Sequence, residues 1–526
     1  MIVTPTSSPA GYPMPFKKYS TVLLILMVTL LLRCGAWGET AQSITQYGIT
    51  WTFDKPYTIG KFVTGDYWVV GPVVVRSVDP APSPGRNGSM VNPQAGIHPG
   101  WKQGYDNRGM CFDVTYDENT RATFPLSLKP DESLISSASV EKFGERTPDS
   151  LDAYLRNPLR TATVLTCVDS PPPADAFRPA YVGQKKTIWT VRQLRREILP
   201  RLPVPPGAIP PDLLDREKAK LILDQALQDG KPASLNKLAT LPSPLIQERL
   251  LQRFWLDYGG SASSGPLHPI ENMLSYGREI THIVSTVGLM LLLDDPKGEN
   301  EKLLRHYIQL GIDYWGVAQS SGTVWVANGG IDSGRKWPVI FAGLMLGNEE
   351  MANVKATSAE DEQTYYGKGY RGQTALWRIL PPPVPEQEIL PPEKWKEGTF
   401  AGTINDGWRS ESYRLLNGPT WVGEALAARL MGAKKLWNHD AFFDYVERWV
   451  KAAPDGTYVM PKNATTVEPL EPDALKNLQP KGYTPWSDFV GSMWQTYRPK
   501  ADEIGQSTAA KWNAAKGNPS TPKTKH

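Results

Sequence analysis

The apolar periodicity of this chain changes once, and the change falls on proline. From Ile44 to about Val168, short alternating or apolar runs such as "GITWTF", "GDYWVVGPVVVRSV", "CFDVTY" and "TATVLTCV" are cut by Gly, Pro, Asn and Asp. That pattern predicts strands. The segments "DSPPPADAFRP" and "LPRLPVPPGAIPPDL" follow, stiff connectors by composition. Beyond them "LLDREKAKLILDQAL", "SPLIQERLLQRFWLDY" and "NEKLLRHYIQLGIDYWGVAQ" carry the 3.6-residue spacing of amphipathic helices. A run of strands followed by a run of helices reads as an α+β multidomain chain. At 526 residues it exceeds what one core usually serves.

The expected organisation is a signal peptide over 1–38, a β-sandwich-like domain over 44–170, a Pro-rich and helical linker region over 171–250, an α/α-toroid-like helical domain over 251–498, and a polar tail over 499–526. The toroid expectation rests on helix pairs alternating with long loops. "PIENMLSYGREITHIVSTVGLMLLLDD" and the helix after "PKG" form the expected first hairpin. Residues 355 to 414 are too long for a connector and rich in Tyr, Trp, Arg and Gly, which reads as an ordered binding surface.

The first 38 residues carry an export pattern. Lys17 and Lys18 precede the apolar run Thr21 to Leu32, and Ala36-Trp37-Gly38 has the small residues of a cleavage site. The run is too short for the roughly 20 residues of a membrane-spanning helix, so no stable membrane span is expected. A secreted or periplasmic protein cleaved near Gly38 is expected instead. Cys34, placed as in a lipoprotein signal but beside Arg33, leaves with that segment. Cys111 and Cys167 remain and can pair as one disulfide in an oxidising compartment.

A formal charge of +3 is too small for a nucleic-acid footprint. No paired-ligand spacing of cysteine or histidine points to a metal, and no cofactor motif is present: Gly329 and Gly334 have phosphate-loop spacing, but Arg335 and Lys336 replace the required Lys and Ser or Thr.

Anion-binding character gathers at "TVWVANGGIDSGRKWPVIFAGLML", residues 323 to 346. Pro338 suits a first helical turn, so Asn328, Arg335 and Lys336 flank a helix N-terminus, where backbone N–H groups and the dipole favour a carboxylate. A second cluster holds His268 and Tyr276, with Asn272 and Glu279 on helical spacing and Arg278 beside the phenol. A third, "NDGWRSESYRLLNGPTW", brings Arg409, Tyr413 and Asn417 into one loop. Trp325, Trp337, Trp408 and Trp421 are stacking surfaces or core, and His282, His306 and His439 read as structural.

These types suit β-elimination on a uronate polymer: Asn, Arg or Lys neutralises the carboxylate while Tyr or His moves the proton. With the export signal, the helix pairs and the β-rich module, the chain resembles secreted polysaccharide lyases of the α/α-toroid type over about residues 250 to 498. The residue roles come from chemistry: Tyr413, Tyr276 and His268 as proton-transfer groups, and Asn328, Arg335, Lys336, Arg409, Asn417, Trp325, Trp337 and Trp408 as binders of an anionic polysaccharide. Two rivals stand beside it. One is a glycoside hydrolase drawing two carboxylates from Asp313, Asp332, Asp406, Glu411 and Glu424. The other is a noncatalytic glycan-binding or scaffold protein.

Overall fold

The structure is a computed structural model that describes residues 38–93, 101–109, 114–183, 186–257, 267–274, 276–320, 325, 329–355, 358–367, 374–377, 417–452, 459–463, 466–469 and 487–516. The signal segment, Cys111, Asn328, Trp408, Arg409 and Tyr413 lie outside these residues.

Strands begin at once. β1 (Glu39–Gln46), β2 (Ile49–Lys61), β3 (Tyr67–Val70), β4 (Val73–Asp79), β5 (Ser89–Val91), β6 (Trp101–Gln103), β7 (Val114–Tyr116), β8 (Leu126–Leu128), β9 (Ser133–Ser139) and β10 (Leu159–Val168) follow in chain order. Eight of them form one sheet in the order β5-β9-β10-β3-β2-β4-β8, with β1 paired to β2. The β10–β3 pairing is parallel and the others in this sheet are antiparallel. This single curled mixed sheet, a half-barrel, replaces the expected β-sandwich. Alternation of side chains reports that a strand has two faces, and does not report whether a second sheet or a helical layer covers them.

The two faces have different partners. Ile49, Trp51 and Phe53 on β2, Val73 and Val75 on β4, and Leu165 and Cys167 on β10 fill a core inside the curl. Ala162 and Val164, on the other face of β10, and Ile135 on β9 join the core of the helical half. β10 is therefore covered on both sides, which explains a strand buried at nine of its ten positions. Residues 171–250 also enter that core, through Phe177, Tyr181, Ile198, Leu235 and Ile246.

The two halves are further joined by a buried ion network. Arg178 donates Nε to Asp66 at 2.8 Å and grips Asp313 with both terminal nitrogens, at 2.8 and 2.6 Å. Its backbone exchanges two hydrogen bonds with the Gln309 amide. Burial pushes the Asp313 carboxyl up to about 6 despite Arg178.

The helices that matter here are α1 (Arg216–Asp229), α2 (Pro232–Leu238), α3 (Pro244–Leu251), α4 (Gly277–Met290), α5 (Glu301–Ser320), α6 (Lys336–Leu346), α7 (Trp421–Leu430), α8 (Asp440–Ala452), α9 (Asp488–Tyr497) and α10 (Ala501–Lys516). They do not form an α/α toroid. α4 and α5, expected as a hairpin, pack chiefly on other partners: α5 on α6, and α4 on α7. Glycine permits both close approaches. A β-carbon at Gly311 would overlap the Pro338 carbonyl, and one at Gly423 would crowd the Ser285 side chain. Helical periodicity identifies a buried face and leaves its partner open, so local spacing could not expose these pairings.

Among the described residues no helix is long and apolar enough to cross a membrane. Cys167 is a free, buried thiol, and Cys111, its expected disulfide partner, lies outside the described residues. It sits within the curled sheet's core, with Sγ 3.6 Å from the Leu128 carbonyl, and burial pushes its pKa up to about 12.

Candidate functional site

α6 runs from Lys336 to Leu346, and Gly347, with φ of 69°, supplies the left-handed C-cap. All eleven of its residues are buried, so the segment before it, Gly329–Arg335, is held at the edge of the helical core. Gly330 and Gly334 have φ of 82° and 86°, and neighbours crowd both: a β-carbon would strike Asn417 at one and Thr281 at the other. Glycine is required there on both counts.

Three distant segments clamp this turn. The Tyr276 hydroxyl and the Asn417 Nδ2, the latter at 2.7 Å, donate to the same Gly329 carbonyl. Trp421 donates its indole N–H to Ser333 Oγ at 3.2 Å, and the Gly334 amide donates to Glu360. Arg335 closes the turn on itself, with Nη1 donating to the Ile331 and Ser333 carbonyls at 3.0 and 2.7 Å. Its Nε reaches Asp257 at 3.0 Å, and the Tyr314 hydroxyl donates to the same carboxylate oxygen at 2.8 Å.

The structure thus brings Tyr276, Asn417 and Arg335 together. Tyr276 is half-buried at the N-cap of α4 and carries Arg278 5.5 Å from its ring centroid, a favourable place for a cation. Asn272 is not on that helix, which starts at Gly277, and donates instead to the Phe254 carbonyl.

Other expected binders turn elsewhere. Lys336 points away from the turn, donating to Asp361 and to the Trp437 carbonyl at 2.7 Å, with its ammonium 5.4 Å from the Trp437 ring centroid. Trp337 is fully buried among α6 neighbours, edge-on to Phe341. Trp325 is buried edge-on to Tyr314 at 5.1 Å, and Trp421 is also core. Large rings beside a helix N-terminus are filling volume here.

His268 is 3% exposed and tied to the sheet half of the molecule. The Asn157 Nδ2 lies 3.0 Å from His268 Nε2 and 3.0 Å from Asp152 Oδ2. An amide with two acceptors donates to both, so Nε2 accepts and the imidazole proton sits on Nδ1. Burial lowers its pKa, while the charges of Asp152 and Asp257 pull the other way. A ring whose Nε2 lone pair is already engaged is not a free base.

A group of buried carboxyls, absent from the expected lyase site, lies within and around the turn. Burial raises Asp332, Glu360 and Glu424, the first and last strongly, and mutual repulsion adds to it. Glu424 lies within the apolar helix α7, Asp332 within the glycine turn and Glu360 in the acidic stretch Ala359–Gln363, so no common sequence pattern marks the three. Of the five carboxylates considered for hydrolysis, Asp313 is spent on Arg178, Asp332 and Glu424 are buried, and Asp406 and Glu411 lie outside the described residues. No group of three His, Cys, Asp or Glu among the described residues is placed to hold a metal ion.

No protein-family model, curated protein or solved structure matches the chain.

Proposed function

We propose that the chain cleaves an anionic, uronate-containing glycan by β-elimination, with Tyr276 as the acid that protonates the leaving oxygen. The observation that carries this reading is the shared acceptor: Tyr276 and Asn417 both donate to Gly329, in a turn stiffened by Arg335. A phenol that donates to a carbonyl keeps its proton, which suits it to the acid role rather than the base role. Half-burial leaves it within reach of a ligand.

In the reaction the proton beside the uronate carboxylate is removed, a carbon–carbon double bond forms, and the neighbouring carbon–oxygen bond breaks onto the leaving sugar. Tyr276 delivers the proton that oxygen needs. Arg335 and Asn417 act as positioning residues, because their described hydrogen bonds serve the turn. Tyr413 is then the candidate base, and Asn328 and Arg409 the candidate partners of the carboxylate.

Incubating the full chain with alginate, pectate, heparin and chondroitin sulfate while following ultraviolet absorbance of the unsaturated product tests the reading. Absorbance should rise with at least one of them; none rising removes it.

A further inference from the structure

A concavity lies away from the Gly329 turn. It is bounded by the end of α5, residues 349–355, Leu436 and α10, and encloses about 590 Å³. Sites for small ligands span about 300–1,000 Å³.

Trp315 and Trp512 line it. Trp512 belongs to the hydrophobic core and Trp315 is half-buried against it, so packing fixes both rings before any ligand arrives. The polar lining is exposed and of mixed type: carboxylates at Glu349 and Glu350, amides at Gln319 and Asn353, and an ammonium at Lys355.

We infer that this cleft is a binding site for an uncharged pyranose, as a mono- or disaccharide unit. A sugar ring presents an apolar C–H face and a rim of hydroxyls that both donate and accept. Indoles serve the face, carboxylates accept from hydroxyls, amides do both, and Lys355 donates. A uronate is disfavoured by two carboxylates against one ammonium. An alkylammonium ion would suit the indoles and carboxylates but would meet Lys355 as a like charge and leave both amides idle. None of the lining residues belongs to the Gly329 turn, so the inference stands independently of the elimination reading.

Calorimetric titration of the full chain with glucose, galactose, xylose, N-acetylglucosamine and their β-linked dimers tests it. At least one should bind saturably, and Glu350→Gln and Asn353→Ala, both at exposed positions, should each weaken it about tenfold with unchanged Tm, equivalent to about 1.4 kcal/mol. Absence of saturable binding by every sugar overturns the inference. So does sugar binding that both variants leave unmoved, or displacement of the sugar by tetramethylammonium at comparable concentration.

Discussion

Tyr276 and Asn417 place their donors on one carbonyl oxygen, that of Gly329. One residue caps α4, the other precedes α7, and those two helices pack against each other. The turn between them is therefore positioned by the helix packing itself. A side chain held in this way is restrained by the core rather than by a flexible loop.

The Arg178 network is expected to govern stability more than any surface pair. Both carboxyl partners and the guanidinium are buried, so Arg178→Met strips Asp66 and Asp313 of their shared cation without letting water in to replace it. Removing one partner of such a buried group costs about 3–5 kcal/mol. Urea denaturation should show a fall of that size, with loss of cooperativity between sheet and helical halves; an unchanged midpoint would refute the assignment.

His282 is expected to make the fold acid-sensitive. Burial lowers its pKa to about 3, below the ordinary 6.5, with the Arg278 charge adding to the effect. The folded state then binds fewer protons than the unfolded state between those values. Stability from this group is complete above pH 6.5 and declines as pH falls toward 3, by up to about 1.4 kcal/mol per pH unit. His282→Leu should abolish that part of the slope. Stability measured from pH 7 to pH 4 on parent and variant checks it, and parallel curves would contradict it.

Cys167 should be inert in the folded protein. Its thiol is buried and its pKa is pushed up to about 12, so almost no thiolate exists at neutral pH. Peptide mapping after alkylation should find it unlabelled in buffer and labelled in guanidinium. Labelling at equal rates in both would show that the thiol is accessible.

Local structure was legible where one residue type dictated one conformation. The alternation in Ile49, Trp51 and Phe53 and the apolar run of β10 mark strands, and Pro338 marks the start of α6. What covers those elements was not legible. Cys167 on β10 looks the same in sequence whether it faces a disulfide partner or Leu128, and α4 carries no sign that its neighbour is α7. At the site, the Arg335–Lys336 pair was recognisable as a cationic helix start. Its division, with Arg335 turned to Asp257 and Lys336 to Asp361, depends on carboxylates far away in the chain. The acid role proposed for Tyr276 rests likewise on Gly329, which no spacing rule connects to it.

The most direct measurement is steady-state kinetics of Tyr276→Phe on whichever uronate polymer the parent cleaves. The substitution removes one hydroxyl and its net hydrogen bond, about 1 kcal/mol of stability, so the variant should fold. Loss of a proton-transfer group costs about 100-fold or more in kcat. A drop of that size, with KM little changed, is the predicted result, and parent-like kcat in a folded variant is the result that contradicts it.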